Sequence, residues 1–269
     1  MTGCMAIIGF GEAGAAFAGA ADWRGTACAY DLSPARRAAM GEAGVKSCDN
    51  AVDALANAQL ILSLVTADQA LQAAIDYAPL IAPGAIWCDM NSVAPDTKRA
   101  AAKAIEAAGG RYVDVAVLSP VDPARLAAPL LVSGLSAADA AQNLRDIGFT
   151  NVREAGEEIG RASAIKLCRS IMVKGIEALS DEMMAAAAAA GVTDDVLASL
   201  DASDKPMRWA DRAAYNLERM ATHGLRRAAE MDEAAKMLQQ LGVDPAMTRG
   251  TVQRQREAAT NNKTARNAA

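Results

Sequence analysis

The chain has 269 residues, 52% of them hydrophobic, and a formal net charge of -5. This length and composition are typical of a globular protein with a sizeable core in one large or two ordinary domains. The acidic balance disfavours nucleic-acid and anionic-membrane surfaces, and the apolar runs are shorter than the roughly 20 residues of a membrane helix, so we expect a cytoplasmic protein with a small-molecule partner.

Residues 1–160 alternate short apolar runs with alanine-rich stretches, which is typical of repeated β-α units and a doubly wound parallel sheet. Strands are predicted at residues 5–10, 26–30, 60–65, 85–90, 111–117 and 129–134. Helices are predicted at residues 13–21, 33–43, 68–81, 95–109 and 136–147. The pattern predicts an α/β domain over residues 1–160.

The α/β alternation ends near residue 160. Residues 161–190 contain no proline and only one glycine, Gly175, so a single long helix is predicted there, and Gly191 can end it. The remainder is predicted to be helical up to a frayed polar tail at residues 260–269. We expect residues 161–269 to form this interdomain helix and an all-α domain for substrate binding and dimerisation.

The stretch "IIGFGEAGAA" holds the spacing G-x-G-x-x-G in Gly9, Gly11 and Gly14, directly after a predicted strand and at the opening of a helix. Gly9 permits a tight turn, Gly11 lets the backbone approach a pyrophosphate, and Gly14 allows the helix to pack on the strand. The first domain is therefore predicted to be a Rossmann-type dinucleotide-binding domain. Further cofactor contacts are predicted at Phe10, Glu12, Ala13, Val65 and Thr66.

The second predicted strand ends at Asp31, 20 residues beyond Gly11. A carboxylate there can accept hydrogen bonds from the ribose hydroxyls and repels a 2′-phosphate, which favours NAD. Ser33, Arg36 and Arg37 could instead cradle that phosphate, so NADP stays possible.

Four motifs in chain order resemble the β-hydroxyacid dehydrogenase family, which includes 3-hydroxyisobutyrate and 6-phosphogluconate dehydrogenases. After the glycine loop, "DMNSVAPDTKRAAA" is similar to the family's D-x-S-T-x-x-P segment and places Asn91 and Ser92 at positions that contact nicotinamide and substrate. "DVAVLSP" falls where the family has D-x-P-V-S-G-G. Val117 keeps the valine, Leu118 replaces the substrate-binding serine, and Ser119 with Pro120 replaces the two glycines.

The fourth motif, "GEEIGRASAIKLCRS", is similar to G-x-x-G-x-G-x-x-x-K-x-x-x-N. The resemblance places Lys166 at the catalytic lysine and Ser170 at the usual asparagine. Residues 223–247 resemble a helical domain of undefined function that accompanies this Rossmann domain in one subgroup. The family implies hydride transfer between a nicotinamide cofactor and a hydroxy compound, and a homodimer.

Lys166 also has a physical argument, because Ile165 and Leu167 beside it indicate a packed helix. In a cleft, desolvation and nearby Lys174 both disfavour the ammonium form, so Lys166 could exchange a proton with a substrate hydroxyl. The alternative is a solvated helix lysine. Candidate substrate contacts are Ser92, Val117, Leu118, Ser119, Lys174 and His223, although His223 could equally face solvent or cap a helix.

The loss of the serine and two glycines leaves fewer polar donors and predicts a substrate larger or more apolar than a four-carbon hydroxy acid. One histidine and no acidic cluster of ligand spacing predict no metal site. Five cysteines without a C-x-x-C pair are predicted to be small buried hydrophobes.

The predicted function is an NAD(P)-dependent oxidoreductase acting on a β-hydroxy acid or related hydroxy compound. Two alternatives stay open: a lyase that retains the cofactor and performs retro-aldol cleavage or elimination, and a non-catalytic dinucleotide-binding protein. Apolar residues along the 161–190 helix exceed what one small domain can cover, which also predicts a homodimer or larger homo-oligomer.

Overall fold

The computed structural model describes the backbone of residues 4–203 and 206–267, and the side chains of residues 5–203 and 206–260. The chain forms two compact units, of which the first ends at Arg169 and the second begins at Ser170. This division falls inside a long helix that starts at Arg161, where the predicted second domain begins.

Eight strands in the described residues form one sheet: β1 (Cys4–Ile8), β2 (Ala27–Tyr30), β3 (Lys46–Ser47), β4 (Ala58–Ser63), β5 (Ile86–Asp89), β6 (Arg111–Val117), β7 (Leu130–Ser133) and β8 (Val152–Gly156). Their order is β3-β2-β1-β4-β5-β6-β7-β8. Neighbouring strands are parallel except for β6 and β7. The predicted Rossmann-type fold class is confirmed.

The antiparallel β7 departs from the predicted parallel sheet. The link from β6 to β7 contains only a single-turn helix, Arg125–Ala127. A parallel connection is usually made through a full crossover helix, which this link lacks, so the chain returns in the opposite direction.

The α-helices of the described residues are α1 (Glu12–Ala20), α2 (Arg36–Glu42), α3 (Ala51–Leu55), α4 (Ala70–Tyr77), α5 (Pro95–Ala107), α6 (Ala137–Asp146), α7 (Arg161–Ala190), α8 (Thr193–Ser203), α9 (Trp209–Gln240) and α10 (Ala246–Asn267). The long helix α7 ends as predicted before Gly191, whose φ is +71°. The predicted frayed tail is wrong up to Asn267, because no glycine or proline occurs in α10 after Gly250; residues 268–269 lie outside the described part. The short elements β3, α3 and β8 were not predicted, since each lacks a long apolar pattern.

The core of the first unit lies on both faces of the sheet. Ile7 and Leu62 belong to one buried cluster, and Ile8 and Ile61 to the other. Successive strand residues point to opposite faces, so these adjacent pairs show why both faces must be covered by helices. The strand ends are thereby held in fixed positions around the candidate site.

The cysteines only partly follow the prediction. Cys48 and Cys88 are buried and Cys28 is half-buried, but Cys168 is exposed on α7. No helix in the described residues is long and apolar enough to cross a membrane. That same part of the chain holds no group of three or more histidine, cysteine or acidic side chains placed to bind a metal ion.

Candidate functional site

A cleft of about 650 Å³ opens beyond the carboxyl ends of β1 and β4. At this point the strand order reverses, because the chain continues from β1 to β2 on one side and returns as β4 on the other. Open α/β sheets bind their ligands at such a switch point. Seven of the predicted cofactor residues line the cleft: Gly9, Gly11, Glu12, Ala13, Asp31, Val65 and Thr66.

The glycine loop has the geometry that its sequence predicts. Gly9 has φ +88°, and a Cβ atom there would lie 2.6 Å from the carbonyl oxygen of Leu64. A Cβ at Gly14 would lie 3.0 Å from the Gly9 carbonyl oxygen, so α1 packs closely on the loop. Gly11 lines the cleft with no atom within 4 Å of its Cβ position, which leaves its backbone open to a phosphate.

Asp31 is fixed by backbone amides from the loops that follow β1 and β2. The Phe10 amide donates to Oδ2 of Asp31 at 2.7 Å, and the Ser33 amide donates to Oδ1 at 2.7 Å. A carboxylate held in this way keeps further lone pairs for ribose hydroxyls. Phe10, Gly14 and Asn91 do not line the cleft, and the side chains of Phe10 and Asn91 are buried.

One wall of the cleft was missed by sequence reasoning. This wall is formed by one face of α4 and the turn before it, through Gln69, Gln72, Ala73, Asp76 and Tyr77. Tyr30 of β2 also lines the cleft. The rings of Tyr30 and Tyr77 meet edge to face at 6.2 Å, and burial, followed by the neighbouring Tyr30 and Asp76, raises the pKa of Tyr77. The helical spacing 69, 72, 73 and 76 was the available signal, once β4 is known to lie beside β1.

The cleft is predominantly acidic. Glu12, Asp31 and Asp76 line it, whereas Arg36 is the basic side chain in its lining. Arg37, also considered for a 2′-phosphate, pairs with Asp49 at 3.1 Å instead.

A buried ionic network lies beside the end of β5. Asp89 of β5 and Asp114 of β6 are register partners, which places two carboxylates side by side. Lys98 of α5, with 0% exposure, reaches both: its Nζ lies 2.9 Å from Oδ1 of Asp89 and 3.4 Å from Oδ1 of Asp114. Nζ also donates to the Asp89 carbonyl oxygen at 2.6 Å. Buried charges persist only when paired, so Lys98 allows both carboxylates to stay inside.

Asp89 holds the predicted cofactor residue Asn91. The Asn91 amide nitrogen Nδ2 donates to Oδ1 of Asp89 at 2.8 Å and to Oγ of Ser63 at 3.1 Å. The Asn91 carbonyl oxygen Oδ1 is buried without a hydrogen-bond partner. Tyr112 donates to Oδ2 of Asp89 at 2.6 Å, and burial together with Asp89 raises the pKa of Tyr112 well above its ordinary value.

Asp114 holds the first turn of α7. The Ser163 hydroxyl donates to Oδ1 of Asp114 at 2.6 Å, and the Ser163 amide donates to Oδ2 at 2.9 Å. The Ala162 amide donates to Oγ of Ser133 at 3.0 Å. These contacts cap the helix N-terminus from the sheet. Sequence reasoning missed this network, because it joins positions far apart in the chain.

The remaining predicted site residues fall in different places. In the first unit Lys166 is half-buried one turn beyond Ser163, Ser92 is exposed, and Val117 is buried at the end of β6. The Ser119 hydroxyl donates to the Pro120 carbonyl oxygen at 3.0 Å. Three others belong to the second unit, where Ser170 is half-buried and Lys174 and His223 are exposed.

Comparison with known proteins shows two matching families. Residues 4–148 match the "NAD binding domain of 6-phosphogluconate dehydrogenase". Residues 187–258 match a domain of unknown function. The first match spans more than half of the chain and lies within the unit that holds the cleft.

Three solved structures illustrate the likeness. A conserved hypothetical protein from Sinorhizobium meliloti 1021 is 37% identical, with 97% of this chain and 89% of that chain covered and a TM-score of 0.65. A protein of unknown function described as similar to 3-hydroxyacid dehydrogenases is 28% identical, with 97% and 98% covered and a TM-score of 0.63. An imine reductase from Myxococcus stipitatus in complex with NAD+ is 17% identical, with 97% and 95% covered and a TM-score of 0.74, and it shows the shared fold.

These matches confirm the resemblance stated from the motifs and the dinucleotide cofactor. The glycine loop, Asp31 and the open backbone at Gly11 fit that cofactor in this chain. The chain therefore belongs to the family of the NAD binding domain of 6-phosphogluconate dehydrogenase, a family of NAD(P)-dependent oxidoreductases.

Proposed function

We propose that this protein transfers hydride between NAD and a CH–OH group of a β-hydroxy acid or related hydroxy compound, with Lys166 as the acid–base group. The observation that carries the proposal is the buried Asn91 carbonyl oxygen, which has no partner. Asn91 follows β5 at the carboxyl edge of the sheet, outside the cleft lining, and an unpaired buried acceptor is costly unless a ligand or water donates to it. A ribose hydroxyl or the nicotinamide amide offers such a donor.

Each residue has a definite task in this proposal. Gly11 and the start of α1 bind the pyrophosphate, Asp31 accepts from the adenosine ribose, and Asn91 accepts at the nicotinamide end. Lys166 takes the proton of the substrate hydroxyl during oxidation and returns it during reduction, worth about 10² to 10⁴ in rate. The bound cofactor supplies hydride chemistry. Candidate residues for orienting the substrate are Ser92, Val117, Leu118, Ser119, Ser170, Lys174 and His223.

The charges of the cleft support NAD over NADP. A 2′-phosphate would enter a cleft lined by Glu12, Asp31 and Asp76, with Arg36 as its basic partner. Repulsion from the carboxylates disfavours that additional negative charge. Calorimetry with both cofactors tests this preference, and tenfold tighter NADP binding contradicts it.

The activity is tested by following NADH absorbance with a panel of hydroxy acids, hydroxy compounds and imines. We expect NADH formation from β-hydroxy compounds larger or more apolar than a four-carbon hydroxy acid. Leu118 stands where the family has a serine and supports this size preference, because it packs against a buried apolar cluster that includes Ala162. A clear preference for four-carbon hydroxy acids contradicts the substrate class.

The same departure at Leu118 also favours a second candidate function, a lyase that retains the cofactor. Without a serine donor there, an enzyme could cleave or dehydrate a β-hydroxy compound with no net redox change. Product formation without NADH, detected by mass spectrometry, would support the lyase. Tight NAD binding with no product from any compound would instead support a non-catalytic binding protein.

We also propose a homodimer or larger homo-oligomer. On α7 the second unit exposes large apolar side chains, including Ile171, Met172, Ile176 and Leu179. An apolar groove of about 470 Å³ lies among residues 179–248. Contiguous apolar surface of this kind supports association between subunits. Light scattering should give a mass of at least twice 27.8 kDa, and a monomer at micromolar concentration contradicts this proposal.

A further inference from the structure

The buried network contains a cation that the proposed mechanism does not use. Lys98 lies on α5, and it is completely buried. Its Nζ contacts Asp89 and Asp114 together. Each carboxylate in turn holds a different part of the proposed active site.

The first arm of the network runs from Lys98 through Asp89 to Asn91, on the cofactor side. Asp89 fixes Asn91 twice: Oδ1 accepts from the Asn91 backbone amide at 2.9 Å and from its side-chain amide at 2.8 Å. These two bonds turn the Asn91 carbonyl oxygen away from Asp89. The orientation of the proposed cofactor acceptor therefore depends on Asp89.

The second arm runs from Lys98 through Asp114 to Ser163, on the helix that carries Lys166. Asp114 accepts from the hydroxyl and the amide of Ser163 in the first turn of α7. Lys166 follows three residues later, on the same side of the helix as Ser163. The position of the Lys166 side chain therefore depends on where Asp114 sets this turn.

We infer that Lys98 is a positioning residue that joins these two arms, so that Asn91 and Lys166 keep a fixed relation to each other. This inference rests on the proposed function of both residues. Without the cation, two adjacent buried carboxylates repel each other, and the arms they hold move apart. Lys98 itself is fully buried and has no role in proton transfer.

The experiment measures acetylation of Lys166 by trace acetic anhydride, followed by mass spectrometry of the peptide, with and without saturating NAD+. In the wild-type protein we expect NAD+ to slow Lys166 acetylation about fivefold or more, because NAD+ bound next to Lys166 shields its amino group from the reagent. Ser163→Ala cuts the hydroxyl bond of the second arm, and we expect it to reduce this protection about threefold or more. Lys98→Met should abolish the protection.

Three comparisons make the result specific. Ser163→Thr keeps a hydroxyl at this position and should keep the protection that Ser163→Ala loses. Lys103→Met changes an exposed lysine on α5, the helix of Lys98, and should leave protection unchanged. NAD affinity of Ser163→Ala should stay within about threefold of wild type, because the lost hydroxyl bond goes to Asp114 and not to the glycine loop or Asp31. If Lys98→Met does not fold, Ser163→Ala still decides the question.

The possible failures are distinguishable. If NAD+ gives no protection in the wild-type protein, the proposed role of Lys166 fails and this inference fails with it. If the wild-type protein is protected and Ser163→Ala is protected equally, only the positioning role of the network is overturned. Loss of NAD binding in Ser163→Ala also overturns it, because the network would then support the domain as a whole.

Discussion

The two units of the chain differ in where they place charged and large apolar side chains. The first unit buries the apolar residues of its sheet on both faces and keeps Asp89, Lys98 and Asp114 inside. The second unit keeps its ion pairs on the surface, such as Lys236 with Glu233, and exposes large apolar side chains, with Ile171 75% exposed.

The difference follows from architecture. A sheet covered by helices on both faces closes its core within one chain and can enclose a satisfied polar network. Helices with apolar residues on several sides leave part of that surface uncovered unless another surface packs on them. The first unit is therefore complete as a cofactor-binding body, and the second is the part for which we propose association.

The largest expected effect comes from comparing an ion pair in each unit. Lys98→Met should lower the free energy of unfolding of the first unit by about 3–5 kcal/mol, because it leaves two buried carboxylates without a cation. Lys236→Met in the second unit should cause no measurable change, since its partner Glu233 is solvated. Hydrogen exchange followed by mass spectrometry reports the two units separately.

Equal effects of the two substitutions would break the comparison. If Lys98→Met left exchange in β5 and β6 unchanged, the network would contribute little to the stability of the first unit.

The next effect is on catalysis. Lys166→Ala should lower turnover about 100-fold or more while leaving NAD affinity nearly unchanged, because the glycine loop and Asp31 hold the cofactor. Lys166→Arg should be almost as slow, since a guanidinium stays protonated at neutral pH. Lys103→Ala, an exposed lysine of the same unit, is the control. The measurement is steady-state kinetics with the hydroxy compound that the panel identifies, and turnover within twofold of wild type for both Lys166 variants would exclude Lys166 from the mechanism.

The cofactor loop could be predicted from sequence because its signal is local. Gly9, Gly11 and Gly14 sit within six consecutive positions, and each has a backbone reason to be glycine. Asp31 was also predictable, since the spacing of a β-α-β unit fixes where the second strand ends.

The buried network could not be predicted in the same way. Asp89 and Asp114 become neighbours only when β5 and β6 pair, and in sequence Lys98 looks like a solvated lysine of an alanine-rich helix. The direction of β7 was missed for a related reason, because apolar patterning reveals a strand but not its orientation. The tasks of the catalytic and substrate candidates stay predictions in both units, Lys166 as much as Ser170, Lys174 and His223.

Asp31 provides the third test, confined to the first unit. Asp31→Ala removes the acceptor for ribose and for the Phe10 and Ser33 amides, so NAD affinity should fall about 30-fold, as expected for lost charge-assisted hydrogen bonds. NADP affinity should fall less, because a repulsive charge disappears as well. Calorimetry with both cofactors measures this, with the exposed Asp22→Ala as control. An unchanged ratio of the two affinities would remove Asp31 from cofactor selection.

The smallest expected effect concerns Glu182, a buried carboxylate of the second unit that is held by hydrogen bonds. Burial raises the pKa of Glu182, but hydrogen bonds from the Thr248 hydroxyl and from the Met247 and Thr248 amides outweigh it and hold the pKa below its ordinary value of 4.5. As the pH falls, Glu182 in the unfolded region binds a proton before Glu182 in the folded protein does. The stabilisation is therefore complete above pH 4.5 and is lost as the pH falls through the lower pKa of the folded state. At neutral pH, Glu182→Gln should reduce hydrogen-exchange protection at the start of α10 about fivefold, or about 1 kcal/mol. The variant should also lose most of the acid-dependent decline in protection. An equal decline in wild type and variant would show that another group controls the acid dependence of α10, and the hydrogen bonds to Glu182 would then have no part in it.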